Sequence, residues 1–130
     1  MTDRRSALRL AAGLAAALVA LPVAAAGMQP FGTANFEAAR EKGPVVVHID
    51  ATWCPTCRAQ KPILSKLLGE PKFAKVTAFA IDYDSEKPTL KALNAPDRST
   101  IIVFKGGKEV GRSVADTSED KIATLLDKAL

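Results

Sequence analysis

Reactive and metal-binding side chains are scarce in this 130-residue chain, which has two cysteines, one histidine, one tryptophan and one tyrosine. A closed structural zinc site normally takes four ligands, so Cys54, Cys57 and His48 are too few to build one within the chain. No cysteine precedes Cys54, which excludes a lipid-modified cysteine at the end of a leader. Charge of one sign is also lacking. The formal charge is +4, and setting aside Arg4, Arg5, Arg9 and Asp3 takes 18 basic and 14 acidic residues to 15 and 13, a net +2. That is too weak an excess to argue for nucleic acid or for an anionic membrane surface. The longest apolar stretch, Leu10 to Val23, falls short of the roughly 20 residues a membrane-spanning helix needs. After residue 27 there is no repeat, low-complexity tract or linker, and 48% hydrophobic with 25% charged residues is the make-up of one small globular domain.

What is present begins with an export pattern. Met1 to Arg9 is basic, Leu10 to Val23 is apolar, and Ala24-Ala25-Ala26-Gly27 offers small residues for cleavage, the order of a secretory signal. Arg4-Arg5 resembles a twin-arginine signal, with Ala7 where a larger apolar residue is commoner, so Sec and twin-arginine routes are both open. The expected division is an export signal over residues 1–26 and a domain over residues 27–130, placing the product in an oxidising, periplasm-like compartment.

The two cysteines stand in Trp53-Cys54-Pro55-Thr56-Cys57-Arg58, between the apolar run Pro44 to Ile49 and the apolar-periodic stretch Pro62 to Leu68. That context predicts a strand-to-helix junction with Cys54 at the helix N-terminus. Unpaired N–H groups and partial positive charge there favour the thiolate, the form in which cysteine reacts. Cys57, one turn further in, is placed to attack a mixed disulfide on Cys54 and release a reduced client. A static staple is the competing reading, but a disulfide closing so small a loop removes little unfolded-state entropy.

Periodicity predicts a first helix over Thr33 to Lys42, a buried strand over Val45 to Ile49, and a helix after Cys54 to Gly69 with Pro62 able to bend it. A second strand follows over Lys75 to Asp82 and a short helix over Glu86 to Asn94. Thr100 to Phe104 and Glu109 to Val114 form a hairpin around Gly106-Gly107. Thr117 to Asp120 caps a last helix with Ile122, Leu125, Leu126 and Ala129 on one face. The order α-β-α-β-α-β-β-α predicts an α/β domain, a mixed sheet with helices on both faces.

Trp53-Cys54-x-x-Cys57, Pro62, Ile81-Asp82 and Phe104-Lys105-Gly106-Gly107 together resemble the thioredoxin family over nearly the whole of the chain after residue 27. The resemblance implies a thioredoxin fold with a central sheet of about four strands, and a thiol–disulfide oxidoreductase with Cys54 as nucleophile and Cys57 as resolver. It also implies protein thiol or disulfide clients, a separate redox partner and a monomer, with no dissociable cofactor because the dithiol is the redox group. Two positions depart from the family. Where thioredoxins carry a cis-proline beside the CxxC motif this chain has Ser99, which keeps its N–H and prefers a trans peptide by about 3 kcal/mol. By the family's strand-addition docking, Arg98-Ser99-Thr100 is the expected client-binding segment. His48 occupies the place of the family's buried aspartate, where a pKa near 6.5 suits a proton relay to the resolving thiol. A core histidine satisfied by neighbours is the equal alternative.

Trp53 is expected to form an apolar lip to the site, and Asp50 and Arg58 flank it with opposite charges. Pro55-Thr56 between the cysteines resembles the reducing thioredoxin-like proteins of cytochrome c maturation. A reading from another class stays open: copper handling or a non-catalytic scaffold, with Cu(I) held by Cys54 and Cys57, with or without His48.

Overall fold

The computed structural model describes residues 27–130, together with the isolated residue Gly13. The expected export signal over residues 1–26 lies otherwise outside the described residues. Ten elements follow in order: β1 (Gln29–Pro30), α1 (Thr33–Lys42), β2 (Val45–Asp50), α2 (Pro55–Leu68), a short 3-10 turn (Pro71–Phe73), β3 (Thr77–Asp82), α3 (Lys87–Ala92), β4 (Thr100–Lys105), β5 (Lys108–Val114) and α4 (Glu119–Asp127). The sheet runs β1-β3-β2-β4-β5, parallel on the β1, β3, β2 side and antiparallel from β2 through β4 to β5.

The sheet has five strands rather than about four. The addition is β1, two residues on the outer edge of β3, which continues into Phe31 N–H donating to Ala80 O at 3.0 Å. A two-residue edge strand containing a proline has no alternation by which a sequence could reveal it, and an edge is where proline's missing N–H does least harm.

Strand β2 is central and buried on both faces, which its run of β-branched residues requires. Val46 joins Ile101 and Val103 in a core packed against Leu64 and Leu67 of α2 and Ile122 and Leu126 of α4. Val45, Val47 and Ile49 point the other way, to Phe36 of α1 and Leu90 of α3. The β4–β5 turn is tight because Gly106 and Gly107 both take positive φ, 61° and 78°, the two-residue geometry that matches strand twist. At Gly111 of β5 a Cβ would lie 3.0 Å from both Leu125 and Lys128, so the glycine lets α4 pack directly on the strand. The carboxyl end of β2 is thereby fixed between β3 and β4, with the start of α2 directly above it.

Candidate active site

At that junction Cys54 is the N-cap of α2. Its backbone is extended (φ −89°, ψ 116°) and its sulfur accepts from Cys57 N–H at 3.2 Å, as a capping side chain does. Pro55 follows at the first helical position, where its missing N–H would have had no partner anyway. The turn of helix then sets Cys57 beneath Cys54, in one small cluster with Ala51 and Tyr83. Both cysteines are free thiols. Cys54 is screened by its immediate neighbours, being 1% exposed, yet lies in a thin shell near the protein surface, whereas Cys57 sits deeper.

The two thiols are driven apart in acidity. Burial raises the pKa of Cys54, but hydrogen bonds from the Cys57 thiol, the Ser99 hydroxyl, the Cys57 N–H and the Arg98 side chain outweigh it and bring the group down to about 7. Cys57 moves the other way, first through burial and then because it donates to Cys54 and faces its charge. The pair titrates as a unit, with Cys54 the sulfur that carries charge first.

Ser99 takes the trans form, since the described residues contain no cis peptide, and it adopts φ 59° in the left-handed region. Its Oγ lies 3.2 Å from Cys54 Sγ and 3.0 Å from Cys57 Sγ, so one hydroxyl bridges both sulfurs. Its N–H donates to Ile49 O at 2.8 Å, and its carbonyl accepts from Ala115 N–H and from Gln60 Nε2, each at 3.0 Å. Thr100 is buried as well, and its hydroxyl donates to Asp97 O at 2.7 Å. Of the expected docking segment, Arg98 is therefore the exposed member.

The Arg98 guanidinium stacks 4.8 Å from the centre of the Trp53 ring, and Trp53 Nε1–H donates to Asp84 at 2.8 Å. Trp53 is 49% exposed beside a covered sulfur, the arrangement of a lip. Arg58 points elsewhere, toward Thr52 O at 3.4 Å, and Asp50 pairs with Lys61 at 2.6 Å.

His48 lies fully buried on β2, on the α2 side of the sheet. Its Nε2 is 2.9 Å from Gln60 Oε1, and Nδ1 has no hydrogen-bond partner. Burial lowers its pKa against the opposing pull of Gln60 and Asp50, so the ring is held neutral. Gln60, which reasoning from sequence passed over, also donates to Asp116 O at 2.8 Å and so joins α2 to two loops beside the dithiol. Its signal was available: a polar residue in the stripe Cys57, Gln60, Leu64, Leu67 and Leu68 that α2 buries. Among the described residues no group of three or more His, Cys, Asp or Glu is placed to hold a metal ion, and no helix is long and apolar enough to cross a membrane.

The arrangement can do thiol–disulfide exchange, having an acidified sulfur just beneath the surface, a protonated one within reach below it, and an aromatic lip. Comparison with known proteins agrees. The family profile described as Thioredoxin matches residues 28–128. The thioredoxin of Chlamydia trachomatis is 33% identical over 94 residues, covering 72% of this chain and 90% of that protein. The thioredoxin of Staphylococcus haemolyticus is 31% identical over 96 residues, covering 74% and 91%. Among solved structures, Trxlp from Edwardsiella tarda superposes with a TM-score of 0.75 at 31% identity, covering 77% of this chain and 98% of that one.

Proposed function

The chain belongs to the thioredoxin family and is a thiol–disulfide oxidoreductase, and from that premise we propose that it exchanges disulfides with protein clients in the cell envelope, Cys54 attacking and Cys57 resolving. The observation that carries the assignment is the capping geometry, with Cys54 Sγ 3.2 Å from the Cys57 N–H and 3.2 Å from the Ser99 hydroxyl.

The exchange follows from it. The Cys54 thiolate forms a bond to one client sulfur, the client disulfide breaks, and its other sulfur leaves as thiolate. Cys57 then gives up its proton, which ends on that client thiolate, bonds to Cys54 Sγ, and expels the second client sulfur. One client disulfide is reduced and the Cys54–Cys57 disulfide is formed, with charge and protons conserved. The envelope setting is supported by the basic, apolar and small-residue order of residues 1–26.

Two measurements on the full chain test this. Cys57→Ser should accumulate mixed disulfides with envelope proteins that dithiothreitol releases, and Cys54→Ser should accumulate none. Fractionation of cells making the protein should place a shortened form of about 104 residues in the periplasm, as cleavage after Ala26 requires. Full-length protein confined to the cytosol would defeat the envelope assignment.

A further inference from the structure

Ser99 presents an arrangement that backbone geometry alone would not favour. Its φ of 59° is one that glycine adopts without cost, and its side chain is a hydroxyl with 2% of the residue exposed, where burial is costly unless the group is bonded. The backbone N–H and carbonyl are already committed to Ile49, Ala115 and Gln60. What the hydroxyl contacts is sulfur: Cys54 Sγ at 3.2 Å and Cys57 Sγ at 3.0 Å.

We propose that Ser99 is a catalytic residue whose hydroxyl donates its one hydrogen bond to whichever sulfur carries charge, Cys54 before attack on the client and Cys57 during resolution. The inference rests on the Cys54 and Cys57 roles assigned above. A hydroxyl has one hydrogen to donate and two lone pairs to accept with. In the reduced resting state the Ser99 O–H donates to the Cys54 thiolate, and the single Cys57 S–H lies within reach of both Cys54 Sγ and Ser99 Oγ. Once Cys54 is bonded to a client sulfur it holds no charge. The hydroxyl then rotates to Cys57, which needs a donor as its proton departs, and no backbone movement is required because both sulfurs are already in reach.

Gln60 acts here as a positioning residue. Its amide holds the Ser99 carbonyl at 3.0 Å and so keeps the left-handed turn aimed between the thiols. Besides the cysteines themselves, the groups facing the hydroxyl's end of the site are the Arg98 cation, which also donates to Cys54, and, behind Gln60, the neutral His48 ring.

The test is Ser99→Gly, which suits φ 59° and removes only the hydroxymethyl group, with Ser99→Ala as a second variant. In both, the pH midpoint of Cys54 alkylation should rise by about one pH unit, the loss expected of one hydrogen bond to a charged group. The mixed disulfide with a model peptide should also persist several-fold longer before Cys57 resolves it. Folded variants with the wild-type midpoint and the wild-type lifetime would overturn the proposal. Wild-type protein that fails to turn over at all would instead overturn the Cys54 and Cys57 assignment, so the two failures are distinct.

Discussion

His48 Nε2 lies 2.9 Å from Gln60 Oε1, and the bond can run only from the imidazole to the amide. Both hydrogens of the Gln60 amide nitrogen are spent on Ser99 O and Asp116 O, which fixes its oxygen as the acceptor and His48 as the Nε2–H tautomer. Nδ1 is then the bare nitrogen, and it is the one without a partner. The histidine therefore reaches the dithiol through Gln60 and Ser99.

Stability should report this neutral state. In the unfolded chain His48 takes up a proton near pH 6.5, while burial lowers its pKa in the fold. The folded state binds fewer protons just below pH 6.5, so the contribution is complete above that pH and is lost as the pH falls from there toward the lowered native value. His48→Phe removes both the titration and the bond to Gln60. Urea unfolding at pH 7.5 should show the variant less stable by about 1–3 kcal/mol, the cost of leaving Oε1 unsatisfied. That gap should narrow toward pH 5. A gap that stays constant or widens on acidification would mean the native ring is charged.

Gln60→Leu keeps much of the volume and deletes three hydrogen bonds, leaving the His48 N–H and the Asp116 carbonyl unpaired. Chemical denaturation should register a loss of about 2–4 kcal/mol, at the high end for a single substitution. A loss below ~0.5 kcal/mol would show that water replaces the amide and that the network is not a structural support.

Trp53 separates client recognition from stability. Half exposed and anchored by Asp84 and Arg98, it contributes little to the core, so Trp53→Ala should change unfolding stability by no more than about 1 kcal/mol. Reduction of insulin should lose several-fold in kcat/KM, while a small aromatic disulfide reagent should react at nearly the wild-type rate. Equal losses on both substrates would show that the indole tunes the sulfur and not the client.

Much of this was legible from sequence because it depends on local pattern. The all-apolar β-branched run of β2, the two glycines between β4 and β5, and the polar start of α4 each act within a few residues. Ser118 duly caps α4 by accepting from Lys121 N–H at 3.4 Å. The short strand β1 escaped because two residues carry no period. Ser99 meets Cys54 across 45 residues and was placed beside the motif only through the family resemblance, whereas the bond of Gln60 to Asp116 across 56 residues escaped because nothing local marks it. Arg58 adjoins the CxxC motif yet turns to Thr52, while Arg98, far along the chain, is the cation that reaches Cys54. Proximity in sequence misleads where long side chains choose their partners in the fold.

The most direct test is the pH dependence of each thiol's alkylation in the reduced protein, resolved by peptide mapping. Cys54 should react with a midpoint of about 7 while Cys57 stays protonated beyond the ordinary cysteine range. A Cys54 that titrates like free cysteine, near 8.5, or a Cys57 that ionises first, would contradict the roles assigned to the two thiols.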